Sequence, residues 1–333
     1  MFKKKALRIN TYLGYGTPYL FRATGRALED ENIDFGLNQN VLKTLRNIYR
    51  QFESDEIRNI SLLIKLPNGE IVETSTDAEG YYYLEKDIPE LSSYLDQEGW
   101  LTYSVAYNDK KIKKKINNNN NFTSEMLIPS SDAEYGIISD IDDTILHTGV
   151  ASFFKWRVIA NTFFKNFDKR LAIEGTVKFY EKLHNGKNNN PVNPFFYVSN
   201  SPWNLYDYLS AFFKKNSFPK GPILLRDFRT PFDKTPKPKM PHKKSEILNL
   251  LKMYPKMQFV LIGDSGEKDA DIYTTIAKQY PDRILAIYLR SVNHKRKEKR
   301  IQKIIDSFKI TPILLVRTSD EAIVHAKKLG IIN

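Results

Sequence analysis

Hydrophobic and polar residues follow one period in the first part of the chain and another in the rest. Apolar and polar positions alternate over residues 60–66 and 71–75, the period of a half-buried strand. Between them Pro67-Asn68-Gly69 predicts a hairpin turn, with Gly69 free to take the positive φ such turns need. Asp77-Ala78-Glu79-Gly80 predicts a second turn into the strand beginning Tyr81-Tyr82-Tyr83-Leu84, and another strand is expected over 100–107. A helical stretch at 41–51 interrupts the series, and the block as a whole predicts a small β-sandwich. The lysine-rich run 110–115 and the asparagine run 117–121 predict an exposed hairpin or linker. The domain boundary is therefore placed near Ser131, giving a β-sandwich-like domain at 1–130 and a second domain at 131–333.

From Tyr135 the pattern changes. Apolar strands are expected at 135–141, 194–199, 222–225, 258–262, 284–289 and 311–316, with amphipathic helices at 175–183, 205–213, 244–251 and 269–279. This alternation predicts an α/β fold with a doubly wound parallel sheet. Ligands in such sheets bind beyond the carboxyl ends of the strands, so the residues there are the ones to inspect.

Composition narrows the classes. At 333 residues, 41% hydrophobic and 27% charged, the chain reads as soluble and globular, with no apolar run long enough to span a bilayer. The basic start MFKKKALRIN has no apolar stretch behind it, so no secretory signal is expected. The absence of cysteine excludes disulfides and thiolate chemistry and suits a cytoplasmic location. A net charge of +12 favours polyanionic partners, whether phosphorylated small molecules, anionic lipid surfaces or nucleic acid, and charge alone does not choose among them.

Four strand ends carry candidate chemistry. The first strand runs into Ser139-Asp140-Ile141-Asp142-Asp143-Thr144. Asp140 and Asp142, two apart, can face the same way, an arrangement that a hard cation with oxygen ligands would relieve. Read as structure alone, Asp143 or Thr144 would cap a helix. The second strand ends in Ser199-Asn200-Ser201-Pro202-Trp203, where a hydroxyl and an amide form an anion cradle or, more plainly, N-cap residues. Pro241-His242-Lys243-Lys244 precedes a helix over 245–251. A lysine there opposes the helix macrodipole, which a need for positive charge or simple solvation would explain. The fourth strand ends in Gly263-Asp264-Ser265-Gly266-Glu267-Lys268-Asp269, where Asp269 could cap the next helix and Asp264 calls for a ligand.

Acid pair, hydroxyl, lysine and acid arrive in the order that characterises the haloacid dehalogenase superfamily, which the chain resembles. Asp140-x-Asp142-x-Thr144 matches the first motif of that superfamily, Ser199 the second, Lys243 the third, and Asp264 with Asp269 the fourth. The strings SDIDDTILHTGV, FFYVSNSPWNLYDYL, LIGDSGEKDADIY and RILAIYLRSV further resemble the catalytic domain of the actin-patch-associated phosphatidate phosphatase family and its bacterial relatives, over about residues 131–292. The string TDAEGYYYL is similar, loosely, to transthyretin-like and carboxypeptidase-regulatory-like sandwiches.

The resemblance implies a Mg2+-dependent phosphomonoesterase working through an aspartyl-phosphate. Asp140 would be the nucleophile and Asp142 the general acid and base, with Thr144 completing the motif. Ser199, Asn200 and Lys243 would hold the phosphoryl oxygens, with Lys244 as the fallback for Lys243. Mg2+ would be held by Asp140, Asp264 and the backbone carbonyl of Asp142, supported by Asp269 and Ser265. Phosphatidate is the leading substrate. A different phosphorylated metabolite, a nucleic-acid end, or a non-catalytic scaffold on acidic membranes or partners are the alternatives. Phe153, Trp156, Ala160, Phe163, Phe167 and Leu171 recur at helical spacing among Lys155, Arg157, Lys165, Lys169 and Arg170, reading either as a core-facing helix or as one that rests on an anionic membrane. The run 294–300 predicts a basic surface helix. The expected location is the cytoplasm, with the inner membrane face as the place of work. Nucleic acid is set aside as a general partner, and no protein partner is indicated.

Overall fold

The computed structural model describes residues 5–33, 41–52, 54–108, 112–141, 175–227 and 240–333. Asp142, Asp143, Thr144, the aromatic-basic stretch at 153–171 and the first residues of the run 110–115 lie outside the described residues. The chain divides into two compact units, one ending at Ser130 and one beginning at Ser131, with Gly36–Leu45 grouped with the second.

The first unit is built on two sheets. One has the order β1 (Leu7–Tyr12), β3 (Leu20–Glu29), β6 (Tyr81–Asp87). The other has the order β2 (Gly14–Tyr15), β8 (Phe122–Leu127), β7 (Trp100–Tyr107), β4 (Ser61–Lys65), β5 (Ile71–Ser75). Both sheets send side chains into a single apolar core: Leu7, Ile9, Phe21, Ala23 and Tyr82 from the first, Leu62, Ile64, Leu101, Tyr103, Val105 and Phe122 from the second. Across it, Phe21 meets Tyr103 edge-on at 5.1 Å between ring centroids. The β4–β5 turn forms where expected, with Gly69 at φ +84° donating its amide to the carbonyl of Leu66. The helix α1 spans Val41–Phe52. The asparagine run closes in a short turn at Asn118–Asn120, three successive residues with positive φ, a backbone region asparagine tolerates better than most residues.

Strands β1, β3 and β8 carry no clear alternation in the sequence. In β3 the core-facing positions after Phe21 hold Ala23, Gly25 and Ala27, too small to signal a face. Their size is a packing requirement, because a Cβ on Gly25 would collide with the carbonyl of Asn10 and lie 2.6 Å from the Tyr82 ring.

The second unit is organised on one six-stranded sheet, ordered β11 (Ile223–Arg226), β10 (Phe195–Pro202), β9 (Gly136–Asp140), β12 (Phe259–Asp264), β13 (Ile284–Arg290), β14 (Ile313–Val316), with every neighbour parallel. Every residue of β9 and β12 is buried, the near-continuous burial expected of central parallel strands. Helices α2 (Thr176–Asn185), α3 (Tyr206–Lys215), α4 (His242–Met253), α5 (Asp269–Gln279), α6 (Lys295–Ser307) and α7 (Ser319–Lys328) alternate with the strands. Aromatic packing binds helices to sheet: Tyr180 stacks on Phe195 at 5.2 Å, and Phe213 on Tyr197 at 4.3 Å. The strand order reverses between β9 and β12, where the chain stops adding strands on one side of β9 and begins on the other. A parallel sheet opens a crevice at such a switch point.

The shared core of the first unit makes a direct prediction. Phe21 is fully buried, so Phe21→Ala removes a ring that both sheets pack against. Urea unfolding followed by Trp fluorescence should show that unit weakened by about 3–5 kcal/mol. A loss under about 1 kcal/mol would mean that the two sheets do not depend on this contact.

Candidate active site

The two strands that flank the switch point each end in an aspartate. Asp140 closes β9 and is 1% exposed, and Asp264 closes β12 and is wholly buried. Lateral register holds the first in place, since Val198 pairs with Asp140 and Ile262 with Ser139. The hydroxyl of Ser139 is tied in turn to the phenol of Tyr180 on α2 at 2.5 Å.

Lys243 lies at the centre of the cluster. It occupies the first turn of α4, which begins at His242 and so starts earlier than the helix expected from 245. Its ammonium is 2.8 Å from each of three carboxylates: Asp140, Glu267 and Asp269. A cation at a helix N-terminus costs about 0.3–1 kcal/mol against the macrodipole. A hydrogen bond to a charged group returns about 1.5–3 kcal/mol, so the hydrogen bond to Asp269 and the ion pair with Asp140, with Glu267 as a further partner, outweigh that cost. Burial by itself would lower the pKa of Lys243, but the charges of Asp140, Asp269 and Glu267 outweigh it and hold the ammonium well above its ordinary range.

Asp269 is the first residue of α5 and does not cap it, the N-cap position falling on Lys268. One of its oxygens takes the ammonium of Lys243, and the other accepts the Asp264 amide at 3.1 Å. Gly263 makes that approach possible: a Cβ there would overlap the Asp269 carboxylate and sit 2.8 Å from Tyr273 Cε2. Oδ1 of Asp264 accepts the amides of Gly266 and Glu267, the latter at 2.8 Å. Its Oδ2 is buried and accepts no hydrogen bond among the described residues. Burial, then the charge of Asp269, raise the pKa of Asp264, with Lys243 pulling the other way. Asp269 is raised too, chiefly by burial.

Asp140, Asp264 and Asp269 can bring one oxygen each within 4.8 Å of one another. Together with Glu267 they set four carboxylates against one ammonium, and one buried carboxylate oxygen has no donor. A hard divalent cation that takes oxygen ligands fits this donor set and this excess of negative charge.

The other expected residues lie close by. Ser199 is buried in β10, its hydroxyl accepting the amide of Ser201 at 2.9 Å, and neither Ser199 nor Asn200 caps the helical segments that follow. Asn200 Nδ2 donates to Glu267 Oε2 at 3.3 Å. Ser265 turns from the carboxylates: its hydroxyl accepts the Val292 amide at 3.1 Å and its amide donates to the Arg290 carbonyl. It is Lys243, not its neighbour Lys244, whose ammonium meets the acids. His242 faces the Leu224 carbonyl at 3.3 Å. Glu267 falls inside the string LIGDSGEKDADIY, but nothing in the sequence marks it as a member of the acid cluster. Lys297, from the basic helix α6, donates to the Gly266 carbonyl at 2.9 Å and so braces the same loop.

The geometry defines a class: an α/β domain with a buried acid–lysine cluster at the switch point of a parallel sheet. Residues 135–291 match the family described as phosphatidate phosphatase APP1, catalytic domain. The chain is 42% identical over 156 residues to phosphatidate phosphatase APP1 of Saccharomyces cerevisiae, covering 46% of this chain and 25% of that protein. It is 32% identical over 222 residues to an uncharacterised protein of Schizosaccharomyces pombe, covering 66% of this chain and 34% of that one. The second unit thus resembles the APP1 catalytic-domain family, and the chain spans between a quarter and a third of the length of these relatives. Among solved structures, a ferredoxin-NADP+ reductase from Plasmodium falciparum aligns over 85% of this chain and 95% of its own, with 11% identity and a TM-score of 0.20, too low to bear on the fold.

The cluster's electrostatics and packing make three predictions. Lys243→Ala leaves three carboxylates facing one another, and should cost at least about 3 kcal/mol of stability near neutral pH. Because burial raises Asp264 and Asp269, these two acids hold more protons in the folded protein than in the unfolded chain above about pH 4. In chelator, stability should therefore fall as pH rises from there to about 7, where Asp264 titrates. Saturating Mg2+ should flatten that fall, since bound metal favours the ionised acids. Thermal melts across this range, with and without Mg2+, decide the point, and parallel curves would rule out a cation at these carboxylates. Gly263→Ala should displace Asp269 and reduce the Mg2+-dependent stabilisation without unfolding the sheet, as read by melts and circular dichroism.

Proposed function

We propose that the second unit is a phosphomonoesterase of the haloacid dehalogenase type, with a doubly wound parallel sheet, a Mg2+ cofactor and phosphatidate as its substrate. The observation that carries the reading is the buried contact of Lys243 with Asp140 and Asp269, beside Asp264, inside the segment that resembles the APP1 catalytic domain.

Asp140 is the nucleophile. Its carboxylate attacks phosphorus as the bond to the leaving glycerol oxygen breaks, giving an aspartyl-phosphate and splitting one hard displacement into two easier ones. Lys243 and Asn200 donate to the phosphoryl oxygens, joined by the Ser199 hydroxyl, and spread the charge that builds there. Asp142, outside the described residues, is assigned the proton: it protonates the departing oxygen, then takes a proton from the water that attacks the intermediate. That second displacement releases orthophosphate and restores Asp140. Asp140, Asp264 and the backbone carbonyl of Asp142 would hold Mg2+, which supplies charge neutralisation between an anionic nucleophile and an anionic substrate. Asp269 fixes both sides of that set, holding Lys243 and the backbone amide of Asp264.

A lipid substrate places the enzyme at a membrane surface. No helix among the described residues is long and apolar enough to cross one. The location proposed with this substrate is the cytoplasm, with peripheral contact at the inner face. The exposed basic residues of α6, next to the loop that follows β12, suit an anionic surface.

The deciding assay follows phosphate release from dispersed short-chain phosphatidate and from soluble phosphomonoesters, with Asp140→Asn alongside. Expected is Mg2+-dependent turnover, faster on the lipid and reduced at least about a thousandfold by Asp140→Asn. Turnover confined to soluble esters would keep the chemistry and remove phosphatidate. Turnover that survives Asp140→Asn would remove the aspartyl-phosphate mechanism.

A further inference from the structure

Glu267 stands apart from the other acids of the cluster. The side chains of Asp140 and Asp269 are fully buried, whereas that of Glu267 is 26% exposed. One oxygen, Oε2, accepts both the Lys243 ammonium at 2.8 Å and the Asn200 amide at 3.3 Å. On the phosphatase reading, on which this inference rests, those are two of the donors meant for phosphoryl oxygens. An anionic oxygen taking both is in the chemical position of a phosphoryl oxygen.

The contact is not needed to hold Lys243, which keeps Asp140 and Asp269 at 2.8 Å. Nor does the side chain hold the Asp264 loop, because that task falls to the backbone amides of Gly266 and Glu267. What remains for the carboxylate is to occupy two donors suited to phosphoryl oxygens. Without it Lys243 would keep Asp140 and Asp269, while the remaining position of its ammonium and the Asn200 amide would stand open to any anion that enters.

We propose that Glu267 is a built-in stand-in for the phosphoryl group. Its carboxylate fills the donors' seat in the substrate-free enzyme and swings towards solvent when a phosphomonoester enters. The consequence is weaker binding of every phosphate dianion, product included, and a site that releases orthophosphate readily. Glu267 therefore sets KM and product inhibition, not the chemical step.

The test titrates inorganic phosphate into the full chain with saturating Mg2+, for wild type, Glu267→Gln and Glu267→Ala, and measures kcat and KM on short-chain phosphatidate. Removing the competing charge should tighten phosphate binding about tenfold in Glu267→Ala, the scale of one hydrogen bond to a charged group, and lower KM in parallel without raising kcat. Glu267→Asp keeps the charge and the backbone amide but draws the oxygen back from both donors, so it guards against misfolding and should give an intermediate effect. Unchanged or weaker phosphate binding, together with a fall in kcat, would show that Glu267 supports Lys243 and Asn200, and would overturn the proposal. If even the wild type neither binds phosphate nor hydrolyses esters, the phosphatase reading fails and this inference falls with it.

Discussion

An ammonium buried among carboxylates is the constraint on which the second unit turns. Lys243 is 2% exposed and touches three acids, while Asp264 and Asp269 are pushed towards their neutral forms by the same burial. Such a cluster is poor material for stability: desolvating the ions costs several kcal/mol apiece, and apolar residues of similar volume would do as well or better. A fold that keeps four acids around one lysine has its stability linked to pH through that charge.

The surrounding architecture keeps the acids from moving apart. Asp140 and Asp264 are the terminal residues of the two central strands, each fixed by hydrogen bonding along its length. Gly263 has no side chain, which leaves room for the Asp269 carboxylate to reach the Asp264 amide. Ser265 and Lys297 tie the following loop to β13 and α6. Tyr180 and Phe213, from α2 and α3, stack on Phe195 and Tyr197 of β10, the strand beside β9. Rigid elements hold the proposed nucleophile and metal ligands, and the one acid with room to move is on a loop with glycine before it.

Much of this could be read before any coordinates. The parallel strands announce themselves as apolar runs because central strands are buried on both faces, and the acids that close them are conspicuous against that background. The first unit was less legible. Strands 61–65, 71–75 and 100–107 show alternation, but β3 presents Ala23, Gly25 and Ala27 to the core, and small residues leave no periodic trace. Two of the plainer structural alternatives are answered by the partners found: Asp269 is not a helix cap, and Lys243 is not a solvated surface lysine.

The sequence by itself determined the kinds of element, the order in which acid, hydroxyl, lysine and acid arrive, and the family that this order resembles, because local period and spacing are properties of neighbouring residues. Tertiary structure decided which of those groups meet. That Lys243 and not Lys244 reaches the acids depends on where α4 begins and how it turns against β9 and α5. That Glu267 joins Asn200, 67 positions away along the chain, depends on β10 and β12 lying on either side of β9. A side chain's partner is set by the path of the backbone through space, and no periodicity along the chain records it.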